Sequence, residues 1–275
     1  MSLVYVNGAL VAPKDASISV FDHGLVTGDG VFETILLHLG RPFALRQHLA
    51  RLERSASGLG IETASPEVIS SAIEAVVESC DFDNGRIRVT VTSGPGPLGS
   101  ARGGGSPTLI VAAEPFSSAP VANVAVVPWT RNEFGALSGL KTTSYADNAL
   151  ALAYAHERRA DEAIFINTSG MLCEGTGSNI FVVIEGELVT PPLSSGCLDG
   201  VTRSLVLERH GGHEQDIPRR AFVPGSVTEA FLTSTLRSVQ PIATIDGQPL
   251  PLGRGPETEK AMAAYAALLA EDSEY

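Results

Sequence analysis

Cysteine is scarce in this chain. Cys80, Cys173 and Cys197 are the three in 275 residues, at no metal-ligand spacing and too few for a disulfide framework. Lysine is equally rare, with only Lys14, Lys141 and Lys260. Positive charge is short as well: 19 Lys and Arg against 31 Asp and Glu leave a net charge of −12. A nucleic-acid binder needs a basic face to attract phosphate, so that class is excluded. No run approaches the ~20 apolar residues of a membrane helix. The opening Met1-Ser2-Leu3-Val4-Tyr5 has neither the basic segment nor the apolar core of a signal peptide. What is present points the other way: 44% hydrophobic and 18% charged residues exclude a disordered chain. The length allows one large domain or two ordinary ones. A soluble, cytoplasmic, globular protein that needs no metal and touches no membrane is expected.

The pattern along the chain is α+β. Val4 to Val11 reads as two short strands around Asn7-Gly8, since both turn residues tolerate positive φ. Gly30–Leu37 reads as a strand, and Leu45, Leu49, Leu52 and Ala56 form one helical stripe. Ser65-Pro66-Glu67 opens a helix with a cap, a proline in the first turn and an acid at the positive end of the dipole. Its core face is Ile69, Ile73 and Val76 or Val77. Arg86–Thr92 alternates like a strand with one solvated face, and Thr108–Val111 like a buried one. Between them Gly94–Gly105 is too glycine-rich for regular structure, so it is a hairpin tip or a mobile cleft wall. Glu114–Pro120 reads as a linker. Val121–Val127 is strand-like, and Ala149–Arg159 is helical. Ile164–Ile166 pairs with Met171–Cys173, and Phe181–Ile184 with Glu187–Val189. Helices start after Gly200 and over Glu257–Ala270. The reading is two α+β domains, 1–115 and 121–275, the second carrying Lys141.

Several residues in this pattern suit chemistry. Lys141 sits among uncharged neighbours in Gly139-Leu140-Lys141-Thr142-Thr143-Ser144-Tyr145. A desolvated amine is a nucleophile able to form a Schiff base, although a lone lysine is more often a surface residue. Glu174, between Cys173 and an apolar strand, requires a cationic partner if buried; a pyridinium N–H is one. Arg51 lies beside the apolar stripe of its helix. Gly200-Val201-Thr202-Arg203 opens a helix with free backbone N–H groups, a natural anion site. Thr233-Ser234-Thr235 adds hydroxyls and N–H groups. Amine, acid, guanidinium and two phosphate cradles together match the needs of pyridoxal phosphate.

The order and wording of these motifs resemble the class IV, or fold type IV, pyridoxal-phosphate enzymes. That family includes branched-chain and D-amino acid aminotransferases, (R)-selective amine transaminases and 4-amino-4-deoxychorismate lyases. The resemblance runs from Asp22-His23-Gly24 and Gly28-Asp29-Gly30-Val31-Phe32-Glu33-Thr34 through His48-Leu49-Ala50-Arg51-Leu52 and the lysine segment. It continues with Glu174-Gly175-Thr176-Gly177-Ser178-Asn179, Gly200–Arg203 and Phe231–Thr235. It implies a two-domain α+β fold with pyridoxal 5′-phosphate at the domain interface, and a homodimer. It implies Lys141 as the Schiff-base lysine and Glu174 as the acid on the pyridine nitrogen. Arg51, the Val201 and Thr202 N–H groups and Thr235 would hold the phosphate, with Ser178 and Asn179 completing the cofactor set. Tyr145 falls near a tyrosine that some members place beside the cofactor. The expected reaction is amino transfer between an amino acid or amine and a 2-oxo acid. The alternative is the lyase, releasing pyruvate and 4-aminobenzoate, with Thr34 or Ser144 as an assisting hydroxyl. Branched-chain members often carry a basic residue where this chain has Leu36. Arg102 and Arg237 remain to bind a substrate carboxylate, with Thr34 on the substrate side.

Overall fold

A computed structural model describes residues 2–271. Its contacts form two compact units. Among the described residues, the first comprises 2–117 together with Leu140–Tyr145, and the second comprises Ser118–Gly139 and 146–271.

In the first unit β1 (Val4–Val6) and β2 (Ala9–Val11) form the expected hairpin, Val6 opposite Ala9. Asn7 and Gly8 turn the chain at φ +48° and +96°, as a two-residue hairpin turn demands. The short helix α1 (His23–Val26) is capped by the Asp22 carboxylate, which accepts the Gly24 N–H. Then come β3 (Gly30–His38), β4 (Arg41–Pro42), α2 (Leu45–Leu59), α3 (Pro66–Glu78), β5 (Gly85–Thr92) and β6 (Thr108–Pro115). The six strands make an antiparallel sheet in the order β2-β1-β6-β5-β3-β4. α2 stops where Gly60 takes φ +65°, its N–H closing back on the last turn. Ser65 occupies the cap position of α3, but its side chain makes no capping hydrogen bond. Leu49, Leu52 and Ala56 of α2 and Ile69, Ile73 and Val76 of α3 pack on Val31, Ile35, Ile87 and Val89 of the sheet. Burying each of these Leu, Ile and Val side chains stabilises the unit by roughly 1.5–3 kcal/mol.

The second unit contains β7 (Ala122–Arg131), α4 (Ala146–Glu157), β8 (Glu162–Asn167), β9 (Leu172–Gly175), β10 (Asn179–Ile184) and β11 (Glu187–Thr190). α5 (Val201–Arg209), β12 (His213–Glu214), β13 (Val227–Ser234), β14 (Ser238–Ile245), β15 (Gln248–Pro249) and α6 (Pro256–Ala270) complete it. Its sheet runs β12-β11-β10-β13-β14-β7-β8-β9, with β15 on β14. It is mixed: β7 lies parallel to both β14 and β8. α4 begins at Ala146, three residues before the helix expected from Ala149, and ends ahead of Arg159, which adopts φ +58°. Among the described residues no helix is long and apolar enough to cross a membrane.

One expectation is corrected. The sequence assigns Lys141 to the second domain, yet Leu140–Tyr145 packs within the first unit. Hydrogen bonding is the cause. Thr142 bridges to Val31, the Phe32 N–H donates to the Lys141 carbonyl at 3.0 Å, and the Thr143 N–H donates to the Gly30 carbonyl at 2.8 Å. The lysine segment thus extends the edge of β3.

Candidate active site

In the first unit α2 presents His48, Arg51 and Ser55, spaced i, i+3 and i+7, on one buried face. Opposite them stands Glu33. It lies on β3 at an inward position, in step with Val31, Ile35 and Leu37, and has no exposed surface. A carboxylate buried there requires partners. Arg51 grips it in a fork, Nε to Oε1 and Nη2 to Oε2, each at 2.7 Å. His48 Nδ1 donates to Oε2 at 2.7 Å. Burial by itself would raise the Glu33 carboxyl; the Arg51 guanidinium and the hydrogen bonds from Arg51 and His48 outweigh it and bring the pKa to about 2. Burial also lowers the His48 imidazole; Glu33 opposes this, and the neighbouring Arg51 and Lys141 cations add to the lowering.

Lys141 is held by its main chain on both sides. Its N–H donates to Ser55 Oγ at 3.1 Å and its carbonyl accepts from Phe32. Its Nζ lies 4.3 Å from the centroid of the buried Phe32 ring. The Arg88 guanidinium lies over the same ring, with Cζ at 3.4 Å from the centroid, and Tyr145 meets it edge-on at 5.3 Å. Arg88 is exposed and forms no ion pair with a carboxylate among the described residues. Thr34 sits opposite Arg88 in the β3–β5 register. Arg102 is committed elsewhere. Its Nε and Nη2 fork onto Asp29 at 2.6 Å each, and Nη1 donates to the Gly60 carbonyl. That pair fastens the glycine-rich segment, as does His23 Nε2 on the Pro97 carbonyl at 2.9 Å.

In the second unit Glu174 is partly buried. Its Oε2 accepts the Leu198 N–H at 2.9 Å, and its Oε1 lies 3.7 Å from Arg131 Nε. Arg131 is fixed in turn by Asn148 Oδ1 and by the Phe165 ring, 4.1 Å from its Cζ. The Leu198 carbonyl accepts from Asn179 Nδ2 at 2.8 Å, so Glu174 and Asn179 together hold the turn that enters α5. At that turn Gly200 makes room for Asn179: a Cβ there would lie 1.9 Å from Asn179 Oδ1, so the Asn179 side chain would have to shift. Gly200 supplies no side-chain cap, leaving the buried first turn at Val201 and Thr202 suited to an anion. Ser178 Oγ donates to the buried Glu162 at 3.1 Å. Arg237 lies 3.4 Å from the same carboxylate, also bonds Gln240 and the Asp161 carbonyl, and so braces the turn that carries Thr235.

The structure therefore gathers Lys141 and Arg51 around β3 and α2, and Glu174, Ser178, Asn179, Val201 and Thr202 around the entry to α5. Arg102 and Arg237 each already hold a carboxylate. Sequence reasoning overlooked Glu33, Arg88 and Arg131. For Glu33 a signal existed: an acid in phase with three core residues of one strand. For Arg88 none did, because an arginine in an alternating strand reads as solvated; Arg131 lies beyond the strand expected over Val121–Val127.

Comparisons with known proteins identify the family. The family described as amino-transferase class IV matches residues 30–245. The chain is 36% identical over 256 residues to a putative branched-chain-amino-acid aminotransferase of Methanocaldococcus jannaschii, covering 89% of this chain and 88% of that one. It is 34% identical over 213 residues to the aminodeoxychorismate lyase of Bacillus subtilis, covering 75% and 73%. Among solved structures, the branched-chain aminotransferase of the thermophilic archaeon Thermoproteus uzoniensis, determined with norvaline, superposes with a TM-score of 0.90 at 32% identity, over 100% of this chain and 97% of that one. The chain belongs to the class IV aminotransferase family and has the type IV fold.

Proposed function

We propose that this protein is a pyridoxal-phosphate-dependent aminotransferase that moves an amino group between an amino acid or amine and a 2-oxo acid. One observation carries the reading. A lysine amine, anchored through its main chain on both sides, lies over an aromatic ring that also carries an exposed guanidinium, which forms no ion pair with a carboxylate among the described residues. An amine and an unpaired cation on one platform suit a carbonyl and a carboxylate on one small substrate.

The chemistry of these residue types suits the cofactor. Lys141 would hold its aldehyde as a Schiff base, Glu174 its ring nitrogen, and Arg51, the Val201 and Thr202 N–H groups and Thr235 its phosphate. When bound, the group supplies an electron-accepting ring conjugated with the substrate nitrogen. The chain's own residues do the rest. Released when the substrate amine takes its place, Lys141 Nζ would accept the proton from the substrate Cα. Arg131 beside Glu174 balances the charge of that carboxylate, and Glu33 fixes the plane of the Arg51 fork. Arg88 receives the substrate carboxylate, a task for which Arg102 and Arg237 are already paired.

The lyase is the second reading, favoured by the Bacillus subtilis relative and by the Thr34 hydroxyl opposite Arg88. The deciding experiment offers the reconstituted protein aminodeoxychorismate in one assay, and D- or L-amino acids with a 2-oxo acid in another. Amino transfer is expected; 4-aminobenzoate without any amino transfer overturns it. We further propose a cytoplasmic homodimer, whose second copy would cover the exposed Val20, Phe21 and Leu25. Light scattering at a monomer mass refutes the dimer.

A further inference from the structure

Ser55 stands in the middle of α2 with 1% of its surface exposed. Serine is a poorer helix former than alanine, and a buried hydroxyl must find a partner. Packing alone would therefore favour alanine at this position, as at the neighbouring Ala56. The partner of Ser55 is the Lys141 N–H at 3.1 Å, across 86 residues of sequence. One turn further along the same face, Gly58 is covered by Leu140. A Cβ at residue 58 would lie 2.8 Å from Leu140 Cδ2 and 2.9 Å from Cδ1. Two small residues, i and i+3, thus form the bed on which Leu140–Lys141 rests. The carbonyl side of Lys141 is held separately by Phe32, whose ring lies beneath Nζ. The amine sits on four flexible methylenes, so its position depends on how firmly its main chain is fixed. Arg51 lies one turn earlier on the same helix, so α2 sets the spacing between that guanidinium and the Lys141 backbone.

We infer that Ser55 is a positioning residue for the Lys141 amine, acting through the hydrogen bond from the Lys141 main chain. The inference rests on Lys141 being the reacting amine. Ser55→Ala removes the hydroxyl that accepts the Lys141 N–H. Small displacements of a reacting group are expensive, so kcat should fall about 10- to 100-fold while KM stays within about threefold. Two readouts go beyond activity. In the cofactor-free protein, hydrogen exchange of the Lys141 amide should be slow in the wild type, fast in S55A and slow again in Ser55→Thr, which keeps the hydroxyl. In the reconstituted protein, the pH titration of the visible band should move by about half a pH unit or more in S55A. Lys141→Ala separates the two ideas. If K141A keeps the visible band, the assignment of Lys141 itself fails. If K141A loses the band while S55A matches the wild type in exchange, titration and kcat, the role of Ser55 is overturned. Should S55A not fold, the wild-type protein decides: a Lys141 amide exchanging as fast as an unstructured chain refutes the bond.

Discussion

Replacing Glu33 by glutamine tests the electrostatic centre of the first unit. The carboxyl is fully buried, and Arg51 and His48 bring its pKa from 4.5 to about 2. A difference of that size corresponds to roughly 3 kcal/mol of pH-dependent stability. The folded state binds this proton more weakly than the unfolded chain. The stabilisation is therefore complete above pH 4.5 and is lost as the pH falls through 4.5 toward 2. E33Q has no proton to gain and leaves the Arg51 guanidinium buried without its counter-charge, which costs about 3–5 kcal/mol near neutrality. Urea unfolding of the cofactor-free proteins, followed by circular dichroism from about pH 7 down to about pH 2, gives the gap between wild type and variant. The gap should be largest above about pH 5 and should shrink by about 3 kcal/mol on acidification. A gap that stays constant over this range refutes the pairing as the source of the low pKa. Pairing E33Q with Arg51→Met, which removes both charges, should recover part of the loss.

Arg88→Gln should raise KM about 10- to 100-fold for carboxylate-bearing substrates and leave amines without a carboxylate unchanged, as steady-state kinetics on both will show. Gly200→Ala forces a methyl group to 1.9 Å from Asn179 Oδ1, so it should lower thermal stability by roughly 1–3 kcal/mol, and Asn179→Ala in the same chain should restore part of it. Burial pushes the Cys173 thiol far above its ordinary value and the Cys197 thiol to about 11, so an exposed-thiol reagent at about pH 8 should label Cys80 alone until denaturant is added.

Much of this molecule is local and therefore readable in advance. The Asn7-Gly8 hairpin, the start of α3 at Pro66 and the apolar stripe of α2 follow from turn chemistry and from a period of about 3.6 residues. The rare Lys141, followed in order by the Glu174, Gly200 and Thr235 motifs, was enough to indicate the family. These features depend on residues within a few positions of one another, and a linear text records such neighbours directly.

Only the tertiary structure decided which polar groups satisfy one another. Glu33 meets His48 and Arg51 across 15 and 18 residues, Arg102 meets Asp29 across 73, and Ser55 meets Lys141 across 86. It also assigned the lysine segment to the first unit and removed Arg102 and Arg237 from the unpaired cations. The physical reason is that a side chain's periodicity reveals which face it occupies, whereas its partner is chosen by the register between elements far apart in the chain. That register comes from packing and loop closure, which no single stretch of sequence contains.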